Sequence, residues 1–251
     1  VSFSLSYKTN VQAMSVINDM HSWLLPSQLL IVTFSVLWAT QLIIIFSPTA
    51  WYAHTGRELD NSPVYTLQYM EWLTNVPILL TLAGKCALRR TFAEVSEVIV
   101  LTNIYIILAW ASYFITDTYV RWTAVSVSFA MYAWASYDMS LWVRDYLRAT
   151  HRDTPSRILK PCLTVGLILI FGIYGVVYLA DLLQYNSPNR THFCFTLMDT
   201  FSKVMMSIAF VGIRSSETTE KLLELVVQRH IPFQRHRSPL ILQNGSAAPN
   251  R

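Results

Sequence analysis

The sequence predicts an all-α, polytopic transmembrane helix bundle, on three observations: its composition, six long apolar stretches and a one-sided distribution of basic residues. Of 251 residues, 53% are hydrophobic and only 14% charged, against about a quarter charged in a soluble domain. Mean hydropathy is +0.36. That apolar content excludes a disordered chain. Seven glycines and 10 prolines exclude collagen-like and low-complexity sequences, and three cysteines exclude a disulfide scaffold.

A bilayer core of about 30 Å takes about 20 mostly apolar helical residues. Six stretches meet that requirement: 27–52, 63–84, 93–116, 119–143, 158–183 and 192–213. Each is too long and too sparsely charged for a barrel strand, which would alternate over about ten residues. Residues 1–26 are only moderately apolar, hold Lys8, Asp19 and His21, and end at Pro26. They read as an amphipathic or loop segment, with an extra or partial helix as the alternative. They lack the basic start and compact apolar core of a secretory signal.

Charge sets the orientation. With loop 52–62 outside, Lys8, Lys85, Arg89, Arg90, Arg144, Arg148, Arg152, Arg157, Lys160, Arg214, Lys221, Arg229, Arg235, Arg237 and Arg251 fall inside. These are 15 of the 19 basic residues. Only Arg57, Arg121 and Arg190 lie opposite, and Lys203 sits within a span. This is the positive-inside pattern. The net charge of +4 is therefore an orientation signal, and no nucleic-acid motif accompanies it. Asn189-Arg190-Thr191 is a glycosylation sequon in an outside loop, and Asn244-Gly245-Ser246 a second match on the inner side. Cys86, Cys162 and Cys194 read as reduced or packing cysteines.

Ionisable residues in mid-membrane are costly and point to function. Glu71, Asp199 and Lys203 stand out. Asp199 precedes Lys203 by one helical turn, so both share a face. Glu71 enters from the outside and reaches a similar depth. Such a near-neutral cluster survives desolvation. One reading is an interhelical salt bridge that fixes packing. The other is that the amine is chemically used: a buried lysine loses its proton readily and attacks an aldehyde. The resulting cation then needs a carboxylate partner to hold its charge. Asp138 and Asp181 lie near the inner and outer surfaces and read as interfacial.

These residues sit in longer patterns that resemble the microbial (type I) rhodopsins. Leu67-Gln68-Tyr69-Met70-Glu71-Trp72-Leu73-Thr74-Asn75-Val76-Pro77 matches the family's third helix, with its carboxylate-Trp-Leu and a proline six residues after the carboxylate. Leu197-Met198-Asp199-Thr200-Phe201-Ser202-Lys203 matches Leu-x-Asp-x-x-x-Lys of the last helix. Phe171, Tyr174 and Tyr178 repeat the aromatic spacing of the sixth. The resemblance spans about 27–213. It implies a bundle of seven or eight helices, of which six are visible, and all-trans retinal held on Lys203 as a protonated Schiff base. It further implies Glu71 as counter-ion and proton acceptor, and Asp199 as second counter-ion. Trp72, Phe171, Tyr174, Tyr178 and, on the family's fifth helix, Met131 would line the retinal pocket.

The departures bear on mechanism. The arginine usually found three residues before the carboxylate is Gln68 here. The proton donor of outward pumps, eleven residues after it, is Leu82, and Val76 replaces a frequent threonine. A pump without that donor reprotonates slowly, so a sensor is expected ahead of a light-driven pump or light-gated channel.

Three segments result: 1–26, the retinal-binding domain 27–213, and a cytoplasmic extension and flexible tail, 214–251. Ser215–Gln228 has helix-start chemistry, with Ser216 as a cap and acids in the first turn. Pro232 and Arg235-His236-Arg237 end it. Together these features are similar to the rhodopsin phosphodiesterases, a group of enzyme rhodopsins. That resemblance implies a plasma-membrane photoreceptor whose cytosolic C-terminus leads to a cyclic-nucleotide phosphodiesterase domain beyond Arg251, with a homodimer as one assembly. A rhodopsin guanylyl cyclase is the alternative. No phosphodiesterase His/Asp metal cluster lies in these 251 residues.

Overall fold

The computed structural model describes residues 25–47, 52–55, 62–151 and 156–230. Most of the N-terminal segment, the second sequon and the basic tail lie outside them. The six expected spans form six helices: α1 Leu25–Phe46, α2 Thr66–Thr81, α3 Phe92–Ser112, α4 Thr118–Ala149, α5 Leu159–Leu182 and α6 Pro188–His230. Strands β1 (Tyr52–His54) and β2 (Pro63–Tyr65) pair antiparallel between α1 and α2, Tyr52 opposite Tyr65. The expected spans 27–52 and 63–84 therefore each give up an end to this hairpin.

Among the described residues, four helices are long and apolar enough to cross a membrane by composition: Leu25–Phe46, Phe92–Ser112, Leu159–Leu182 and, within α6, Pro188–Glu220. α2 is more polar because it buries Gln68, Glu71 and Asn75. Helices α2 to α6 pack each against the next. Side-chain bonds from α6 back to α2 close the ring. The outward faces stay apolar, as at Trp38 and Val176, which suits contact with lipid and not water.

Local chemistry sets the helix ends. Thr91 and Glu94 form a capping box at the start of α3, and Asp117 accepts from the Val120 amide to start α4. Pro188 opens α6, where its missing N–H costs nothing. α2 contains Pro77 and widens into a π-helical turn at Leu82–Ala87. Arg89, at φ 57°, then turns the chain, and its neighbour Arg90 donates its amide to the Gly84 carbonyl. Gly84 lies where α2 meets α3 and α4: a Cβ there would stand 2.7 Å from Val95 Cγ2 and 3.0 Å from Trp142 Cζ3.

α6 runs without a break through Ser215 and Ser216, so Ser216 is not a helix cap. Thr218 and Thr219 donate their hydroxyls to the carbonyls of Arg214 and Ser215, so side chains that favour helix starts bond back into the helix here. Glu217 pairs with Lys160 of α5, both largely buried. The first sequon's Asn189 lies in the first turn of α6, not in a loop, and accepts a hydrogen bond from Tyr65.

Two outcomes follow for unfolding in detergent micelles. Gly84→Ala forces Val95 or Trp142 to move and costs about 1–3 kcal/mol. Lys160→Met strands Glu217 and costs on the order of 3 kcal/mol, whereas Lys160→Met with Glu217→Leu recovers most of it.

Candidate functional site in the bundle interior

α2 and α6 bring their polar residues to the same depth. Lys203 is 1% exposed, and its Nζ donates to Glu71 Oε1 at 2.9 Å. Asp199 Oδ1 lies 3.6 Å from the same nitrogen. The three charges expected to meet do meet, one cation between two carboxylates. All three side chains are buried, so their charges depend on one another.

Each carboxylate has its own set of donors. Asn75, one turn after Glu71 on α2, donates Nδ2 to Glu71 Oε1 at 2.9 Å. Oε1 thus accepts two hydrogen bonds, while the buried Oε2 accepts none. Asp199 is held by Trp72 Nε1, at 2.9 and 3.1 Å from its two oxygens, and by the Tyr174 hydroxyl. Gln68 Nε2 reaches Asp199 Oδ2 at 3.4 Å. One carboxylate is therefore well supplied with donors, and the other has a free oxygen beside an ammonium.

The cluster opens on a cavity between α2, α3, α4, α5 and α6. Trp72, Val76, Leu79, Ile106, Phe129, Phe171 and Tyr178 give it largely apolar and aromatic walls. Lys203 supplies the one amine in the lining, and Asp199 the one carboxylate.

The bacteriorhodopsin-like protein family matches residues 11–215. The chain is a member of that family. No curated protein matches it significantly. Among solved structures it is similar to the transmembrane domain of Salpingoeca rosetta rhodopsin phosphodiesterase, at 17% identity over 74% of this chain and 70% of that one, with a TM-score of 0.65. A light-driven proton pump from Leptosphaeria maculans matches at 14% identity, over 76% and 92%, with a TM-score of 0.57. The red light-activated channelrhodopsin Chrimson matches at 14%, over 78% and 79%, with a TM-score of 0.59. At such identities the likeness is one of fold. The chain is an integral membrane helix bundle, and its family binds retinal.

The bacteriorhodopsin-like cavity suits a long apolar aldehyde. Its walls offer aromatic faces and few polar groups, as small-molecule pockets do. Gly175 contributes to the fit: a Cβ there would lie 3.2 Å from Phe129 Cε1 and crowd the lining. Among the residues chosen from sequence, Trp72, Phe171, Tyr174 and Tyr178 line the cavity. Met131 is half-buried and is not among the lining residues. Its α4 neighbours Ser128, Phe129 and Tyr132 are.

Sequence reasoning missed several contributors. Asn75 was legible in principle, because a residue four positions after Glu71 shares its face. Tyr105 of α3 and Phe129 and Tyr132 of α4 carry no such signal, since aromatic residues occur throughout the chain. Trp72 and Tyr174 were expected as pocket walls, and the fold also makes them donors to Asp199.

Tyr174→Phe removes a donor from a buried carboxylate and is expected to destabilise the protein by about 1.5–3 kcal/mol. Thermal unfolding in micelles checks this, with Tyr178→Phe as a comparison whose hydroxyl bonds the neutral Ser112 hydroxyl.

Proposed function

We propose that this protein is a retinal photoreceptor that signals to a cytosolic enzyme domain. The observation that carries the reading is a Lys203 amine, 1% exposed, held 2.9 Å from Glu71 beside an aromatic cavity. An ion pair that served packing alone would need no cavity on its flank. Bound through Lys203, all-trans retinal supplies visible absorption and light-driven isomerisation.

The chain's own residues supply the rest. Glu71 and Asp199 hold the positive charge on the Lys203 nitrogen. Asp199 is held by three side-chain donors. Glu71 has an oxygen free of donors and is the proton acceptor. Once the lysine nitrogen loses alignment with Glu71, its proton passes to that carboxylate and the pair becomes neutral. The electrostatic tie between α2 and α6 is then released, and α6 is free to shift. A change at one site biases a two-state element that a distant site reads.

Two features support a sensor over a pump. Leu82, at the donor position of outward pumps, is fully buried, with Leu80 and Ala83 buried beside it. α6 continues unbroken from Lys203 to His230, far past the span. With basic residues gathered on one side, the C-terminus faces the cytoplasm of a plasma-membrane protein. A cyclic-nucleotide phosphodiesterase is the effector proposed there. The support is the sequence likeness to rhodopsin phosphodiesterases and the fold shared with the transmembrane domain of one.

Reconstitution with retinal tests this. The protein is expected to become coloured, and Lys203→Ala to stay colourless. A coloured Lys203→Ala protein with covalent label elsewhere would overturn the assignment. Glu71→Gln is expected to shift absorption to the red, because the cation loses its nearest negative charge. Photocurrents from cells expressing this chain alone would favour a pump or channel.

A further inference from the structure

Beyond the ring of donors around Asp199, a second layer leads towards the outer face. Gln68 occupies the position where the family's arginine was expected. Its Nε2 lies 3.4 Å from Asp199 Oδ2, and its Oε1 lies 3.2 Å from Nδ1 of His192. His192 is on α6, nearly two turns before Asp199. Its ring is stacked on Tyr65 of β2, with centroids 4.2 Å apart and planes 9° from parallel. Tyr65 in turn donates its hydroxyl to Asn189 in the first turn of α6. The imidazole is therefore held on one face and aimed at the amide.

The direction of each hydrogen bond follows from chemistry. An ionised Asp199 only accepts, so the amide must turn its NH2 towards it. That leaves the Gln68 carbonyl oxygen facing His192. A carbonyl oxygen also only accepts, so His192 Nδ1 must carry a hydrogen. Neutral histidine can place its proton on either ring nitrogen, and the neighbour decides which. Without the Nδ1 hydrogen the two acceptors would repel, and the amide would be free to turn away from Asp199.

We propose that His192 is a positioning residue for the second counter-ion: its Nδ1–H holds the Gln68 amide against Asp199 in place of an arginine. This rests on the photoreceptor reading in so far as Asp199 is a counter-ion. The geometry of the three side chains stands without it. A neutral relay donates to the carboxylate without adding a full positive charge beside the cation on Lys203. It also joins the counter-ion to the β-hairpin that carries Tyr65.

Two measurements on the 251-residue chain in lipid nanodiscs test it. The first is nitrogen-15 NMR of the histidine-labelled protein without retinal, the His192 signal being assigned by its loss in His192→Asn. The neutral ring is expected to carry its proton on Nδ1; a proton on Nε2 alone would overturn the proposal. The second is the absorption spectrum after adding retinal. His192→Phe keeps a ring to stack on Tyr65 but lacks the donor, and is expected to shift absorption to the blue, because an ionised Asp199 that loses a donor presents more negative charge to the cation. His192→Asn places an amide nitrogen where Nδ1 stood and is expected to restore the wild-type spectrum. Gln68→Leu is expected to give the same shift as His192→Phe, and the two combined no more than either alone. A wild-type spectrum in both Gln68→Leu and His192→Phe would overturn the proposal, as would full additivity. If the wild-type chain stays colourless with retinal, the photoreceptor reading fails, while the NMR result still decides whether His192 orients Gln68. If His192→Phe does not fold, His192→Asn and Gln68→Leu still give the comparison.

Discussion

A positive charge buried between two negative ones organises this protein. Lys203 has no access to water, so the cost of its charge must be met by Glu71 and Asp199. That requirement fixes the relative position of α2 and α6 along the membrane normal. A slide of either helix by one turn would leave a buried ammonium with no partner, a penalty of several kcal/mol. Nothing similar ties the lipid-facing surfaces, where one apolar side chain serves about as well as another. The polarity of α2 follows from the same demand. Gln68, Glu71 and Asn75 make it a poor spanning segment by hydropathy and a well-anchored one by bonding.

The two carboxylates are of the same chemical type but have different surroundings. Asp199 is surrounded by an indole N–H, a phenol and an amide. Glu71 shares one oxygen between Asn75 and Lys203 and leaves the other bare. The asymmetry is one of donor supply. It arises from which neighbouring helices reach each acid: α5 sends Tyr174 to Asp199, while Glu71 meets only its own helix and α6.

The end of the bundle away from the β-hairpin is tied by several specific contacts. Pro77 withholds a hydrogen bond from α2, and the π-helical turn at Leu82–Ala87 alters the helix pitch. Gly84 brings that turn against Val95 and Trp142. Arg90 then crosses to α4, where it meets the Trp142 carbonyl and Asp145. On the other side, the Lys160–Glu217 pair binds the extension of α6 to α5.

The sequence by itself determined the class of fold, the number of visible spans and the residues of the central cluster. Each rests on something that survives in one dimension: apolar run length against bilayer thickness, and charges too costly to bury without purpose. It also determined that Asp199 and Lys203 share a face, because four residues make about one turn. It misjudged the ends of the first two spans, where the β-hairpin takes residues that hydropathy assigns to helices; it anticipated that the last helix extends past the span, and erred only in offering Ser216 as a cap. The tertiary structure alone decided that Phe129 and Tyr132, and not Met131, line the cavity. It alone put His192 against Gln68 and Lys160 against Glu217. Those pairs lie 124 and 57 positions apart, and no local periodicity links them. They meet because helices that must bury a common charge cluster bring everything else on their faces into contact.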